Sequence, residues 1–166
     1  MPSIAALLLA DFDRETPSTR RALEQVPEGM NSFKPHEKSM ELGYLAGLVA
    51  TMPAWVASMV NDEGLDFVKP GKYRTRPFDS RRELLEAFEQ ATADGRAALA
   101  GTSDAHLHTT WKMFAGGHPV GEQVRHEAIR GGALNHLYHH RGQLTVYLRL
   151  TGQTVPGLYG PSADEQ

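Results

Sequence analysis

The sequence predicts an all-α protein, an antiparallel four-helix bundle with long connections. Three observations predict this class. Four long segments either carry apolar residues at helical spacing or are rich in them throughout. Segments rich in proline, glycine and polar residues separate these four. The chain has 166 residues, enough to bury an apolar core, and we expect a single domain over residues 1–166.

Residues 3–25 predict the first helix, because apolar side chains recur at broadly helical spacing with charged residues between them. Pro17 lies inside this segment. An interior proline removes a backbone hydrogen bond and clashes with the preceding turn. We therefore expect the helix to kink at Pro17 or to restart there with Thr16 as its N-cap.

Residues 26–39 are rich in turn formers and predict a loop, and residues 39–60 predict the second helix. Ser39 is the N-cap candidate, with Glu41 in the first turn. The apolar content is too high for a surface helix, so we expect this helix to be the most buried one. Pro53 should bend it.

Residues 61–78 are polar and contain glycine and proline, which predicts a long connection. Residues 79–100 form the clearest amphipathic helix, with Asp79 or Ser80 as its N-cap. Residues 101–120 alternate loosely between polar and apolar side chains and end in a glycine pair and a proline. This pattern indicates an extended segment or a short hairpin.

The last helix is predicted from about Gly121 to about Thr151. Its apolar residues cover more than half of its circumference, which is typical of a helix packed on several sides. Gly131, Gly132 and Gly142 each weaken it by roughly 1 kcal/mol relative to alanine. We therefore expect a close helix approach or a local bend to compensate. The tail that follows contains two prolines and is irregular.

Composition and charge narrow the classes of function. The net charge is -3, and Lys and Arg are scattered among Asp and Glu. A nucleic-acid partner is not expected, because binding to phosphates needs clustered cations. There is no cysteine, so any metal must be held by nitrogen and oxygen donors. The first residues lack a basic signal region, and no segment approaches the about 18 apolar residues that cross a bilayer. We expect a cytoplasmic protein with no membrane partner.

The stretch NHLYHHRGQLTVYLRL near the C-terminus holds three of the eight histidines. In a helix His136 and His140 are one turn apart and point the same way, so they form two convergent nitrogen donors for a metal. His139 projects to the flank of that face and is less suited as a third ligand. Alternatively, the imidazoles are partly buried and hydrogen-bonded to neighbours such as Asn135, Gln143 or a tail carboxylate.

With these features the chain resembles the DinB-like family of four-helix proteins. The resemblance rests on VPEGMNSFKPHEKSMELGYLA, on the histidine block above, on the order of elements and on the length. A histidine followed three residues later by HRGQ is far more specific than a bare pair of histidines. The resemblance implies a metalloprotein in which three histidines hold a divalent ion such as Ni or Zn. It also implies a homodimer, a small-molecule substrate and transferase or isomerase chemistry with a low-molecular-weight thiol such as bacillithiol or mycothiol.

Carried over onto this chain, the family motif places the ligands of the last helix at His136 and His140. The ligand of the second helix falls at Leu48, in the stretch LAGL. Leucine has no donor atom, so the usual site of three histidines is incomplete. Tyr44 lies one turn earlier, and its phenol is a poor ligand for Zn or Ni.

Two histidines can still hold a late first-row ion when water or a carboxylate fills the remaining positions. The candidate third donors are His36 and Glu37, in the loop before the second helix, or a residue within 61–78. A metal site and a purely structural histidine cluster both remain open at this point.

Three other histidines are weaker candidates. His126 precedes His136 by ten residues, about 15 Å along a helix axis, so the two cannot share one ion. His106 and His108 alternate in a presumed extended stretch and would face the same side, which makes them a candidate second metal pair. Solvated surface histidines are the more frequent explanation for such a pair.

Arg141 is the candidate cofactor-binding residue, because its guanidinium suits an anionic group of a substrate or thiol. Alternatively, it ties the tail back through Asp164 or Glu165. The histidine block and the family resemblance together imply a divalent-metal-binding protein, either a thiol-dependent S-transferase or a metal-dependent hydrolase of small molecules. The alternative is a non-catalytic small-ligand-binding or dimerising bundle that has lost its metal site at Leu48.

Overall fold

The computed structural model describes residues 2–66, 68 and 75–165. The protein is mostly helical and also has a three-stranded sheet, so the all-α prediction is incomplete. The helices are α1 (Ile4–Leu23), α2 (Leu42–Thr51), α3 (Pro53–Asn61), α4 (Arg81–Gly101), α5 (Asp104–Leu107), α6 (Arg125–Ala128) and α7 (His136–Leu150). A π-helical segment (Ile129–Asn135) joins α6 to α7, and a 3-10 turn (Ala163–Glu165) lies in the tail. The strands are β1 (Gly64–Asp66), β2 (Thr110–Ala115) and β3 (His118–Val124).

Helix α1 runs without interruption through Pro17, so the predicted restart at this point is wrong. Thr16 does not cap a new helix, because its hydroxyl donates to the carbonyl of Phe12 inside α1 at 3.0 Å. The start of α1 is fixed by a distant residue. Both oxygens of Asp104 accept from the first backbone amides of the helix at 3.0 and 3.1 Å. These two amide hydrogen bonds hold the pKa of Asp104 below its usual value.

The second predicted helix is two helices, α2 and α3, which meet at a 45° bend where Pro53 begins α3. The bend expected at this proline is confirmed. The predicted N-cap at Ser39 is wrong, because the helix begins three residues later. Loop carbonyls satisfy its first amides instead, as Leu42 donates to Phe33 at 2.9 Å and Gly43 donates to Asn31 at 3.0 Å.

Of the two predicted N-caps of α4, Ser80 is the one observed, because its hydroxyl accepts from the amide of Glu83 at 3.2 Å. It packs against α1, α2 and α3, and α7 packs against α2 and α1. Buried apolar side chains form two adjoining clusters between these helices. Trp55 and Tyr138 are partly buried and contact both clusters. The core is therefore continuous from the cluster that contains Leu48 of α2 to the cluster that contains Trp111 of β2.

The sheet has the order β1-β2-β3, with β1 parallel and β3 antiparallel to β2. The hairpin expected within residues 101–120 is confirmed. Gly116 and Gly117 form its two-residue turn with φ of 60° and 85°, as a type I′ turn requires. Residues 121–124 were predicted to be helical, but they belong to β3. The predicted connection over residues 61–78 lies partly outside the described residues.

The last helix is composite, because a π-helical segment separates α6 from α7 and ends immediately before His136. Gly131 and Gly132 both lie in this segment. A Cβ on Gly132 would lie 3.0 Å from the terminal methyl of Met59, so the expected close helix approach occurs at Gly132. A Cβ on Gly131 or on Gly142 would meet nothing within 4 Å, so no close approach compensates for these two glycines. Such π segments occur often at functional sites. The segment sets the position from which α7 begins.

Among the described residues, no single helix is long and apolar enough to cross a membrane. Helices α2 and α3 reach the length and apolar composition of a membrane span only when the two are taken together, and they are bent by 45° where they meet.

The buried guanidinium of Arg125 holds the end of α3. It donates to the carbonyls of Met59 at 2.6 Å and Asp62 at 2.7 Å, and its Nε donates to Thr109 Oγ1 at 3.1 Å. The carbonyls at a helix C-terminus have no partner inside their own helix, and a cation is favourable there. Arg125 therefore ties α3 to the strands and to α6.

Replacing Arg125 by leucine should lower the free energy of unfolding by about 3 kcal/mol, because buried carbonyls would lose their donor. Urea denaturation followed by circular dichroism measures this change. Arg130→Leu is the matched control on an exposed arginine, and we expect less than about 0.5 kcal/mol for it. Equal effects of the two substitutions would contradict this role of Arg125.

Candidate functional site

His136 and His140 lie on one face of α7, in its first two turns, and their rings converge as the spacing predicts. The two Nε2 atoms are 2.9 Å apart, and the ring centroids are 4.6 Å apart with 38° between the planes. The π-helical segment ends directly before His136, so the pair lies where the helix returns to regular α geometry. The pair of imidazoles is the centre of the candidate site.

His140 is the buried member of the pair, with 5% of its surface exposed. Burial lowers the pKa of His140, the neighbouring imidazoles of His136 and His139 act in the same direction, and a hydrogen bond with Gln143 partly opposes them. Its Nδ1 lies 2.7 Å from Gln143 Oε1. His140 is therefore neutral near pH 7 and can offer a nitrogen lone pair.

His136 is half-buried, and its ring packs edge-on to Trp55 of α3, with centroids 5.6 Å apart and 65° between the planes. Trp55 thus restricts the orientation of the His136 ring from the opposite helix. His139 is exposed, with its ring centroid 5.0 Å from that of His140. It lies on the flank of the pair, as the helical spacing predicts.

The separation of the two Nε2 atoms tests whether a metal ion fits between them. With bonds of about 2.0–2.1 Å from the metal to each imidazole nitrogen, two donors lie about 2.9 Å apart at adjacent octahedral positions and about 3.3 Å apart in the tetrahedral geometry usual for zinc. The 2.9 Å between the Nε2 atoms of His136 and His140 matches the octahedral value. The two imidazoles therefore fit two coordination positions of a divalent ion.

A third protein ligand does not accompany this pair in the part of the chain that the structure describes. Leu48 is buried, with 6% of its surface exposed, and no group of three His, Asp or Glu side chains among the described residues is arranged to hold a metal. Tyr44 is 44% exposed. His36 accepts a hydrogen bond from the amide of Lys38 in its own loop. The site of three histidines that the family resemblance implies does not fit these residues.

The predicted second pair of His106 and His108 is wrong, because the two residues lie at a short helix and not on a strand. The ring of His106 is 2.7 Å from the carbonyl of Val60, through Nε2. His108 packs its ring against His126 instead, with centroids 5.3 Å apart. Neither ring reaches a third donor among the described side chains.

Arg141 is fully buried between α1 and the tail, where four hydrogen bonds hold its guanidinium. Nη1 donates to the carbonyl of Glu15 at 3.0 Å and to Thr19 Oγ1 at 3.1 Å. Nη2 donates to Glu15 Oε2 and to Tyr159 Oη, both at 2.7 Å. Tyr159 donates to the same carboxylate oxygen at 2.9 Å. Glu15 neutralises the charge of Arg141. This favours the alternative in which Arg141 ties the tail to the helices and binds no cofactor. A cofactor-binding role of Arg141 stays a prediction.

The contact between Arg141 and the tail is made by Tyr159, not by Asp164 or Glu165 as expected. Asp164 pairs with a different arginine, Arg149, at 2.9 Å. Glu165 accepts from a backbone amide within the tail at 2.8 Å. The tail is thus attached to α7 at two separate arginines.

Glu15 is the residue of this network that sequence reasoning missed. Its charge makes it resemble the exposed charged residues between the apolar positions of α1. It lies, however, on the same stripe as Leu8, Phe12, Thr19 and Leu23, all of which are buried. This spacing of three and four residues was the signal in the sequence that a carboxylate points inward. No comparable signal in the sequence marks Tyr159, the partner of Glu15 in the irregular tail.

Known proteins resemble this chain in sequence and in structure. The sequence matches the DinB family over residues 1–166. It is 44% identical over 46 residues to the "Uncharacterized protein YrdA" of Bacillus subtilis (strain 168), and this match covers 28% of each chain. The chain therefore spans little more than a quarter of the length of that relative.

Two solved structures are similar over nearly the whole chain. A DinB-like protein from Bacillus cereus is 25% identical with a TM-score of 0.69, and the match covers 92% of this chain and 95% of that one. A DinB-like protein of B. subtilis, YjoA, is 18% identical with a TM-score of 0.67, and the match covers 96% and 99% of the two chains. The latter likeness concerns the fold alone.

Glu15→Gln should lower the free energy of unfolding at pH 7 by about 3 kcal/mol, because it removes the charge that compensates the buried Arg141. Burial raises the pKa of Glu15, but hydrogen bonds from Arg141 and Tyr159 and the arginine charge outweigh it, so the pKa is lower than usual. A lowered pKa means that this stabilisation is present above the unfolded-state pKa and is lost as the pH falls through the folded-state value.

The stability of the wild-type protein should therefore fall more steeply than that of Glu15→Gln as the pH is lowered from about 5 to about 2. Denaturant unfolding at a series of pH values measures both curves. Tyr159→Phe serves as a control that keeps the ion pair and should cost only about 1 kcal/mol. Parallel curves for the wild type and Glu15→Gln would show that the carboxylate does not carry this stabilisation.

Proposed function

The chain belongs to the DinB family, and from this premise we propose that it is a divalent-metal-binding member whose ion is held by His136 and His140. The observation that carries the proposal is the 2.9 Å separation of the two Nε2 atoms, which suits adjacent positions around one ion. The lowered pKa of His140 supports it, because only a neutral imidazole can be a ligand. The ion we expect is Ni or Zn.

The fold that supports this site is, in our proposal, an antiparallel four-helix bundle. Its four arms are α1, the bent pair α2–α3, α4 and the composite helix that ends in α7. The packing of α4 on α1 and α3, and of α7 on α2, supports this assignment. The sheet is then an addition in the connection between the third and fourth arms.

The proposed chemistry is a thiol-dependent S-transfer or a metal-dependent hydrolysis of a small molecule. A bound divalent ion supplies a Lewis acid that lowers the pKa of a water or thiol in its open positions. The residues of the chain would hold the ion and orient its ligands. His136 and His140 provide two donors, and Trp55 packs against one edge of the His136 ring. A low-molecular-weight thiol as cofactor, a homodimer and a cytoplasmic location complete the proposal.

The second candidate is a metal-free, non-catalytic bundle that binds a small ligand or a second copy of itself. The observation that favours it is Leu48, a buried leucine where the family motif has a ligand. With only two protein donors, one fewer than catalytic zinc sites typically have, affinity for the ion is reduced. The two candidates differ in whether the two imidazoles bind metal at all.

Untagged protein should bind Ni or Zn in isothermal titration calorimetry, and the His136→Ala, His140→Ala double variant should lose this binding. The reason is that both donors would be removed. His106→Ala, His108→Ala is the matched control, because it removes two histidines from another part of the fold and should leave binding unchanged. Negligible binding to both the wild type and the double variant would reject the first candidate and favour the second.

Leu48→His should raise the affinity for Zn or Ni by about 100-fold or more, because a third imidazole completes the usual ligand set. The substitution should also cost about 1–3 kcal/mol of stability without metal, since it buries a polar group. Competition titration against a chelator measures the affinity. Val49→His is the control, because this neighbouring buried position projects about 100° away around α2. Unchanged affinity in Leu48→His would contradict the carry-over of the family motif to residue 48.

A further inference from the structure

Gln143 follows His140 by three residues on α7, and its amide oxygen faces the ring nitrogen that does not face His136. The distance from His140 Nδ1 to Gln143 Oε1 is 2.7 Å, and the distance from His140 Nε2 to His136 Nε2 is 2.9 Å. Each nitrogen of the buried ring therefore has one defined partner within hydrogen-bonding distance.

The chemistry of these partners determines where the protons lie. An amide oxygen only accepts, so His140 Nδ1 must carry the hydrogen that Gln143 receives. In a neutral imidazole one nitrogen donates and the other accepts. His140 Nε2 consequently keeps its lone pair. Two lone pairs would repel each other at 2.9 Å, so His136 Nε2 carries the hydrogen that lies between the two rings.

We propose that Gln143 is a positioning residue that holds His140 in the Nδ1–H tautomer, with the Nε2 lone pair directed at the space between the two imidazoles. Histidines that bind metals commonly donate their second N–H to such an acceptor, which fixes both tautomer and ring orientation. That a divalent ion occupies the space between the two imidazoles rests on the proposed function. The tautomer of His140 does not depend on it. Gln143 thus keeps His140 in the tautomer whose Nε2 lone pair is available to a ligand.

This arrangement assigns different tasks to the two imidazoles when an ion enters. His140 needs no change of protonation, because its Nε2 is already free of hydrogen. His136 would have to lose the hydrogen from Nε2 and gain one on Nδ1 from the solvent before it could offer its Nε2 lone pair to an ion. The numbers of protons lost and gained are equal. His136 would therefore keep the same number of ring hydrogens when an ion binds.

The tautomer can be read directly from long-range proton–nitrogen correlation spectra of metal-free protein labelled with ¹⁵N-histidine. We expect a protonated Nδ1 and an unprotonated Nε2 for His140, and the reverse for His136. Gln143→Leu removes the acceptor and should shift His140 towards the Nε2–H form. Gln143→Glu keeps an acceptor at this position and should restore the wild-type pattern. Gln90→Leu replaces another exposed helical glutamine and should change nothing.

The proposal is overturned if His140 of the wild type carries its hydrogen on Nε2, or if Gln143→Leu leaves the tautomer unchanged. Gln143 is exposed, so the variants should fold, and circular dichroism verifies this. In the same variants the affinity for Zn or Ni should fall about 10–100-fold in Gln143→Leu and recover in Gln143→Glu. Negligible metal binding by the wild type would reject the proposed function, and the spectra would still decide the role of Gln143.

Discussion

The rotation of α7 about its own axis is the constraint on which the candidate site depends. Arg141 is held against α1 by the side chain and the backbone of Glu15, and Trp55 of α3 packs against the ring of His136. Successive residues of an α-helix are rotated by about 100°. Fixing the direction of Arg141 therefore also fixes the direction of His140, and of His136 one turn earlier. The buried ion pair and the convergent imidazoles are two consequences of one helix orientation.

The metal chemistry that we propose depends on two nitrogen donors where the family resemblance implies three. Leu48 contributes only carbon to the core, while His136 and His140 still present nitrogen atoms at a spacing that suits one ion. In the proposed metal site, two protein ligands would leave most of the coordination sphere to water or to a small molecule. A binding partner that brings its own donor atoms would thus contribute a larger share of the affinity than in a site of three histidines. The ion pair of Arg141 and Glu15 connects α7 to α1, and its two opposite charges cancel.

The sequence predicted features that depend on local spacing and missed those that depend on distant partners. The convergence of His136 and His140 follows from one helical turn, and the cap at Ser80 follows from its own neighbours. Helix α2 begins after the predicted Ser39, because carbonyls of the preceding loop satisfy its amides. Residues 121–124 form the end of β3, and not the start of the predicted helix, because they pair with β2. The inward position of Glu15 depends on Arg141 of α7 and Tyr159 of the tail. Such long-range contacts leave only weak traces in local periodicity.

The most direct test of the central claim is X-ray absorption spectroscopy of the nickel-loaded wild-type protein. Our account predicts two imidazole nitrogens per ion at about 2.0–2.1 Å, with oxygen donors in the remaining positions. The imidazole contribution should be lost when His136 and His140 are replaced. A spectrum without imidazole scattering, or one that is unchanged in the doubly substituted protein, would contradict the proposed site.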